Sequence, residues 1–204
     1  MIITDVAPLD NKRRRVYIDG EYAFPLYLSE IRKFHIEPEC EITNNTLDVI
    51  NEVIHRRIRE RILYLISSMP RTENNIRTKL LCSHYTEKYI NPVIDELKRY
   101  NYIDDMEYAI NYAESLRDNR GKSRRMIEQA LYSKGISQEI IRSVMQDFEC
   151  NNTELIWKAL RKKGYSKENI SNIDIDTQQR LFRYLCGKGF IVADICNVFR
   201  MDYE

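Results

Sequence analysis

Glycine, proline and histidine are scarce in this chain, whose 204 residues include six glycines, five prolines and three histidines. So few glycines leave no glycine-rich loop to cradle a phosphate, and no P-loop, G-x-S-x-G or H-E-x-x-H motif is present. Few helix breakers, in a sequence that is 43% hydrophobic and 31% charged, favour a mainly α-helical globular protein. We therefore expect no catalytic site and no enzyme.

Cysteine is also too sparse and too scattered for a metal site or a disulfide framework. The five cysteines form no C-x-x-C pair. Cys82 and His84 are the only close thiol and imidazole, and two residues cannot supply the four ligands of a structural zinc. An odd number of widely spaced cysteines fits a reducing compartment. We predict no metal and no cofactor.

Long apolar runs are missing as well, so no segment is predicted to span a membrane. The first ten residues, MIITDVAPLD, lack the basic and then apolar pattern of a secretory signal. These absences, together with the cysteine usage, predict a cytoplasmic protein without a membrane partner.

No excess of charge of one sign exists, because the formal net charge is +1, so local clusters carry the electrostatic signal. The densest cluster is RDNRGKSRR at 117–125, a predicted helix–loop–helix junction around Gly121 with one acid and five cations: Arg117, Arg120, Lys122, Arg124 and Arg125. It is either a solvated corner or a patch for phosphates or an acidic protein surface. Arg56 and Arg57 form a second cluster, on the predicted polar face of a long helix, and LRKKG at 160–164 forms a third.

What is present begins with a β-hairpin. In RVYIDGEYAF the apolar residues alternate on both sides of Asp19 and Gly20, a pair typical of a type I′ turn because both central residues need positive φ. A further strand is expected near IITDV. Residues 1–45 are therefore predicted to form a small N-terminal extension that contains the hairpin.

From Thr46 the apolar spacing becomes helical, with a stripe at three- and four-residue steps: Leu47, Ile50, Ile54, Ile58, Ile62 and Leu65. Three later segments share one apolar pattern: Ile76, Leu80, Tyr85, Ile90 and Val93; Ile127, Leu131, Ile136, Ile141 and Val144; Leu181, Leu185, Phe190, Ile195 and Val198. Each segment predicts two helices joined by a tight turn. Gly135 and Gly189 lie at two of these turns, where glycine readily adopts the left-handed conformation.

Each helical pair follows one more predicted helix, so we expect three three-helix repeats at 46–104, 105–150 and 151–204. One repeat cannot bury both of its faces, and the repeats are therefore predicted to stack into an elongated array. The third repeat is the most irregular, and Asp176 with Gln179 fits a capping pair for its second helix. In the first repeat Pro92 either kinks its helix or marks a later start capped by Asn91.

Asp104 and Asp105 are adjacent acids at the boundary between the first two repeats. Neighbouring side chains on a turn point in different directions, so a shared proton or ion is disfavoured. An Asp at a helix start accepts a hydrogen bond from an unpaired N–H group. We therefore predict that one of them caps the next helix, while Tyr102 and Ile103 close the core of the first repeat.

The helical pairs also invite comparison with DNA-reading helix–turn–helix units. Acidic residues occupy the start of each second helix, where they would repel phosphates: Glu87, Glu139 and Asp194. Major-groove reading is therefore disfavoured. A helical-repeat protein that binds DNA through phosphate contacts stays as the alternative function.

The stretch YNYIDDMEYAINYAESLRDNRGKSRRMIEQALYSKGIS, residues 100–137, resembles the middle of RecX-type regulatory proteins. The family shows a G-Y-[IL]-D-D-x-x-[FY]-A turn, a basic R-x-x-x-x-G loop and a helix that ends in K-G-I. The matching residues are Tyr102, Ile103, Asp104, Asp105, Tyr108, Ala109, Arg120, Gly121, Leu131, Lys134, Gly135 and Ile136. Asn101 stands where the family often has glycine, and LCGKGF resembles the K/R-G-[FY] of its third unit.

The resemblance implies a non-enzymatic helical regulator of the RecA recombinase. Such a protein lodges in the groove of the RecA filament and restrains filament growth, ATP hydrolysis and strand exchange in recombination, DNA repair and the SOS response. The resemblance also allows direct contact between the protein and the phosphates of single- or double-stranded DNA. We expect a monomer whose partner-binding residues are the five junction cations together with Arg56 and Arg57.

Overall fold

A computed structural model describes residues 1–170 and 173–199, which form three β-strands and ten α-helices. The chain divides into two compact units, the first at Met1–Asp104 and the second beginning at Asp105. The prediction of a mainly α-helical protein with a small N-terminal β-structure is confirmed.

The first unit begins with a three-stranded antiparallel sheet of β1 (Ile3–Pro8), β2 (Arg13–Ile18) and β3 (Glu21–Tyr27). Asp19 and Gly20 join β2 to β3 with φ of 47° and 87°, so the predicted turn with two positive φ values is confirmed. The extra strand expected near IITDV is β1. The sheet buries four apolar side chains: Ile3, Val16, Phe24 and Leu26.

Four helices complete the first unit: α1 (Leu28–Lys33), α2 (Asn44–Ser68), α3 (Glu73–Cys82) and α4 (Glu87–Arg99). Ile50, Ile54, Ile58, Ile62 and Leu65 are buried along α2, as the spacing predicted. The sheet and the α2–α4 helices share one hydrophobic cluster, in which the rings of Phe24 and Tyr89 meet edge-on at 5.9 Å. The hairpin is therefore stabilised by the third strand and by the helices, since a two-stranded hairpin alone is marginal in water.

The second unit contains two three-helix groups, each with its own hydrophobic cluster. The first comprises α5 (Asp105–Asp118), α6 (Arg124–Ser133) and α7 (Gln138–Asp147). The second comprises α8 (Asn152–Arg161), α9 (Ile175–Gly187) and α10 (Val192–Phe199). Across all three repeats, every residue of the shared apolar pattern is buried except Ile141, which is half-buried.

The three helical pairs close with one turn geometry. His84, Gly135 and Gly189 occupy equivalent positions and have φ of 68°, 79° and 86°. In each turn the next backbone N–H donates to the carbonyl five residues earlier, at 3.2, 3.3 and 3.3 Å respectively. This is the hydrogen bond of a Schellman cap, and it confirms the left-handed conformation predicted for Gly135 and Gly189.

Two local predictions are corrected by the helix starts. Helix α4 begins at Glu87 and keeps Pro92 inside it, so the later start capped by Asn91 is wrong. Helix α9 is capped by Asp174, whose carboxylate accepts from the Thr177 N–H at 2.9 Å, and not by Asp176. Both helices start earlier than the motifs indicated, at Glu87 and at Ile175.

The boundary between the units runs through the adjacent acids. Ile103 is buried in the cluster of the first unit, as predicted, whereas Tyr102 is 58% exposed and does not close that core. Asn101 precedes them with φ of 57°, a conformation that glycine adopts more readily. Helix α5 begins at Asp105, which leaves Asp104 at the position of a cap.

A basic junction as candidate partner-binding site

The predicted basic junction is the loop between α5 and α6, together with the adjoining turns of both helices. Gly121 turns the chain with φ of 57°, and the Lys122 N–H donates to the Leu116 carbonyl at 3.1 Å, which closes the end of α5. Ser123 begins α6, because its hydroxyl oxygen accepts from the Met126 N–H at 3.4 Å. The loop therefore has a defined conformation at both of its ends.

The third repeat fixes this loop through its α9–α10 turn. The buried Ser123 hydroxyl donates to the Gly189 carbonyl at 2.7 Å, and the Ser123 N–H donates to the Lys188 carbonyl at 3.3 Å. A Cβ on Gly189 would lie 1.9 Å from Met126 Cγ. Gly189 thus serves the turn and also the close approach of two repeats, a second role that its sequence position did not reveal.

Two lysines of the third repeat satisfy loop carbonyls that the end of α5 leaves unpaired. Lys158 Nζ donates to the Asp118 carbonyl at 3.2 Å, and Lys188 Nζ donates to the Arg120 carbonyl at 2.8 Å. Burial lowers the pKa of Lys188, and the nearby charges of Lys122 and Lys162 lower it further. The third repeat thus adds the positive charges of Lys158 and Lys188 to the junction.

Two of the five predicted cations are engaged within the protein. Arg117 pairs with Asp118 at 2.8 Å, donates to the Glu149 carbonyl at 3.2 Å and lies over the ring of Phe148 at 4.8 Å. Arg124 pairs with Glu128 at 3.2 Å and donates to the Met145 carbonyl at 2.5 Å. Both side chains stabilise the packing of α5, α6 and α7 against one another.

The other three cations project from the junction without such partners. Arg120 and Arg125 are exposed and Lys122 is half-buried. Within residues 1–170 and 173–199, their side chains form no hydrogen bond or ion pair. These three side chains are therefore available to an anionic partner at no loss of internal contacts.

The second predicted cluster is divided by the structure. Arg56 is exposed on α2, whereas the Arg57 side chain is only 17% exposed. Arg57 forms an ion pair with Glu30 and lies over the ring of Tyr27 at 4.7 Å. The prediction that Arg57 lies on a polar face is wrong, because the chain segment at the start of α1 covers that part of α2.

Sequence reasoning missed Lys158 and Lys188 as members of the basic junction. Lys162, whose charge acts on Lys188, lies in the LRKKG run. That run predicted a cluster of charge but did not indicate which residues of other segments would lie beside it. The one sequence signal for Lys188 is its position before the turn glycine in GKGF. Its contact with the Arg120 carbonyl depends on the packing of the second and third repeats, which the sequence does not show.

The described part of the chain contains no cluster of three or more histidine, cysteine, aspartate or glutamate residues that could hold a metal ion. Among the described helices, none combines the length and the apolar character needed to cross a membrane.

Comparison with known proteins gives a family model whose match contains the junction. A family model described as "RecX, second three-helix domain" matches residues 104–145, which span α5, the junction and most of α7. The curated "Regulatory protein RecX" of Clostridium acetobutylicum is 30% identical, and the match covers 97% of this chain and 94% of that protein. Its counterpart from Clostridium beijerinckii is 28% identical over 91% of this chain and 87% of its own length.

Solved structures show the same fold. A crystal structure of a regulatory protein RecX is 25% identical with a TM-score of 0.60, and the match covers 98% of both chains. The RecX structure from Lactobacillus salivarius is 21% identical with a TM-score of 0.61, covering 73% of this chain and 96% of that one. The arrangement of helices and sheet is thus shared along nearly the whole chain.

Proposed function

Because the chain belongs to the RecX family of regulatory proteins, we propose that it is a non-enzymatic regulator of the RecA recombinase. It binds the RecA filament in the cytoplasm and restrains filament growth, ATP hydrolysis and strand exchange during recombination and DNA repair. The observation that carries this proposal is the match to RecX proteins over 97% of the chain.

The basic junction supplies the contact surface in this proposal. Arg120 and Lys122 project from a loop whose backbone is held by Ser123, Lys158 and Lys188, and Arg125 projects from the first turn of α6. A preorganised loop loses little conformational entropy on binding, so its charges contribute more of their attraction to affinity. Arg117 and Arg124 hold the neighbouring helices in place, and Arg56 adds a separate exposed cation on α2.

The test is the rate of ATP hydrolysis by RecA on single-stranded DNA with increasing amounts of this protein. The wild type should lower the rate, and Arg120→Glu/Lys122→Glu/Arg125→Glu should lower it about tenfold less effectively, since each reversed charge meets the partner with the wrong sign. A variant with the same change of charge on exposed residues of the first unit, Arg61→Glu/Lys79→Glu/Lys88→Glu, is the control.

Each arm of this assay bears on a different statement. An unchanged ATPase rate with excess wild-type protein would refute the regulator assignment. Equal inhibition by the junction variant and the wild type would refute the junction as the contact surface while leaving the regulator assignment standing.

Direct binding to DNA without RecA is the second candidate, favoured by the accessible cations Arg120, Lys122 and Arg125 at the junction. It predicts tight binding to bare DNA with an affinity that falls steeply as salt is raised, because phosphate contacts release counterions. Fluorescence anisotropy of a labelled oligonucleotide at several salt concentrations separates the two functions. A weak, shallow salt dependence in the absence of RecA excludes this second candidate.

A further inference from the structure

A groove of about 660 Å³ lies between α6 and α7, beside the basic junction but distinct from its loop. Its apolar surface comes from Tyr132, Ile141 and Met145. Tyr132 is 65% exposed at one wall, whereas Met145 is buried beneath the groove and Ile141 is half-buried. A volume of this size accommodates one or two large side chains.

Positive charge borders this groove. Of the described residues that line it, three are arginines and one is acidic: Arg124, Arg125, Arg142 and Glu128. Glu128 is already paired with Arg124 at 3.2 Å. Arg125 and Arg142 are exposed and, in the described residues, their side chains make no hydrogen bond or ion pair. Two unpaired positive charges therefore flank an apolar floor.

The remaining lining residues are three exposed glutamines, Gln129, Gln138 and Gln146. A glutamine amide both donates and accepts hydrogen bonds, which suits the alternating N–H and C=O groups of an extended polypeptide. The groove thus offers amides that can hydrogen-bond to a peptide backbone, two arginines that can pair with carboxylates, and an apolar floor. All of them lie on one short span of two helices.

From this combination we propose that the α6–α7 groove binds an acidic peptide segment that inserts one apolar side chain between its carboxylates. A nucleic-acid strand fits less well. A base can stack on Tyr132, but the Ile141 and Met145 floor is matched only by an aliphatic or aromatic side chain. The two unpaired arginines are also too few to follow a phosphate backbone.

The assignment of this segment to the surface of RecA rests on the proposed function, whereas the binding chemistry of the groove does not. Regulation would then use two neighbouring contacts, with the junction attracting negative charge and the groove selecting a particular acidic segment. Apolar insertion between charges gives specificity that the charges alone lack.

The test uses full-length protein and a short fluorescein-labelled peptide in which a leucine and a phenylalanine are flanked by glutamates and aspartates. Fluorescence anisotropy should show saturable binding that weakens at least tenfold in Tyr132→Ser/Arg142→Glu. The matched control is Tyr64→Ser/Arg61→Glu, because Tyr64 is 68% exposed and Arg61 lies 5.6 Å from its ring on the first unit. Both variants alter exposed side chains, and circular dichroism verifies that each is folded.

Three results would overturn the proposal. The first is equal binding of the peptide by the groove variant and the control variant. The second is equal binding of a peptide with serines in place of the leucine and phenylalanine, which would show attraction by charge alone. The third is displacement of the peptide by oligo-dT together with tighter oligo-dT binding that the groove variant loses, which would identify a nucleic-acid groove.

The assay does not contain RecA, so its failure is distinct from failure of the proposed function. Peptide binding in a protein that leaves the RecA ATPase unchanged would support the groove and refute the regulator assignment. Inhibition of RecA by a wild-type protein that binds no such peptide would support the regulator assignment and refute the peptide-binding groove.

Discussion

At the scale of single residues, three turns with the same geometry use two kinds of residue. Gly135 and Gly189 adopt positive φ without strain. His84 has φ of 68°, which costs free energy because its Cβ crowds the following carbonyl oxygen. The sheet contacts this strained turn, since Arg13 donates to the Ser83 carbonyl at 3.1 Å and Tyr22 donates to the His84 carbonyl at 2.5 Å. Tertiary contacts to the backbone thus stabilise a conformation that local preference disfavours.

Gly189 should be far less tolerant of substitution than Gly164, although both have φ near 87°. An added Cβ at Gly189 meets Met126 Cγ at 1.9 Å, whereas nothing lies within 4 Å of the same atom at Gly164. We expect Gly164→Ala to lower the free energy of unfolding by about 1 kcal/mol, from backbone strain alone. Gly189→Ala adds overpacking and should lower it by about 2–4 kcal/mol.

Urea denaturation of both variants, followed by circular dichroism, measures the difference. Similar losses at the two positions would mean that Met126 moves aside without penalty, and that Gly189 serves only the turn. A larger loss at Gly189 would show that the fixed distance between the α6 start and the α9–α10 turn constrains the residue.

At the scale of elements, helix ends decide where the repeats begin. Side-chain oxygens cap α2, α3, α6, α7, α8 and α9 by accepting from backbone N–H groups near each start, and the caps are Thr43, Thr72, Ser123, Ser137, Asn151 and Asp174. Thr86 precedes α4 without such a hydrogen bond. At the start of α7, the Ser137 hydroxyl oxygen lies 3.3 Å from the Ile140 nitrogen, whose N–H it accepts.

The role of Asp104 and Asp105 at the start of α5 remains a prediction at this scale. If one of them caps the helix, Asp104→Ala/Asp105→Ala should lower the free energy of unfolding by about 1–2 kcal/mol. Asp104→Asn/Asp105→Asn is the control, because asparagine also accepts a capping hydrogen bond and should lose much less.

Chemical denaturation and the RecA ATPase assay should be run on the same protein samples. The structural role predicts lower stability with inhibition retained at a temperature where the variant is folded. A variant of full stability that no longer inhibits RecA would contradict it and move these acids to the contact surface.

At the scale of the whole molecule, the chain has more than one core. The sheet, α2, α3, α4 and Ile103 share one cluster, and the two groups of the second unit have one each. Because no buried residue of the first cluster comes from beyond Ile103 in the described chain, the first unit contains its own core.

We therefore expect a fragment of residues 1–104 to fold by itself. It should unfold cooperatively in urea with circular dichroism of a helical protein. Ile103→Ala in this fragment should lower its free energy of unfolding by about 2–4 kcal/mol, because Ile103 is only 3% exposed. Tyr102→Ala, at an exposed neighbour, is the control and should change it by less than about 0.5 kcal/mol. An unfolded or non-cooperative fragment would show that the division at Asp104 does not separate independent domains.

The sequence by itself determined the features that depend on near neighbours along the chain. Apolar spacing predicted α2 and the three helical pairs, Asp19 and Gly20 predicted the hairpin turn, and Gly135 and Gly189 predicted left-handed helix ends. Each follows from the period of a helix or from the allowed φ of one residue, so short segments contain the information.

Only the tertiary structure decided which charged side chains are engaged within the protein and which are left exposed. Arg57, Arg117 and Arg124 appear as available as Arg120 and Arg125 in the sequence, but their long side chains reach acids, carbonyls or rings within the same unit. Lys188 joins the junction from a segment 68 positions away from Arg120. The physical reason is that a flexible cation is engaged or exposed according to groups brought near it by packing, and no local pattern records those groups.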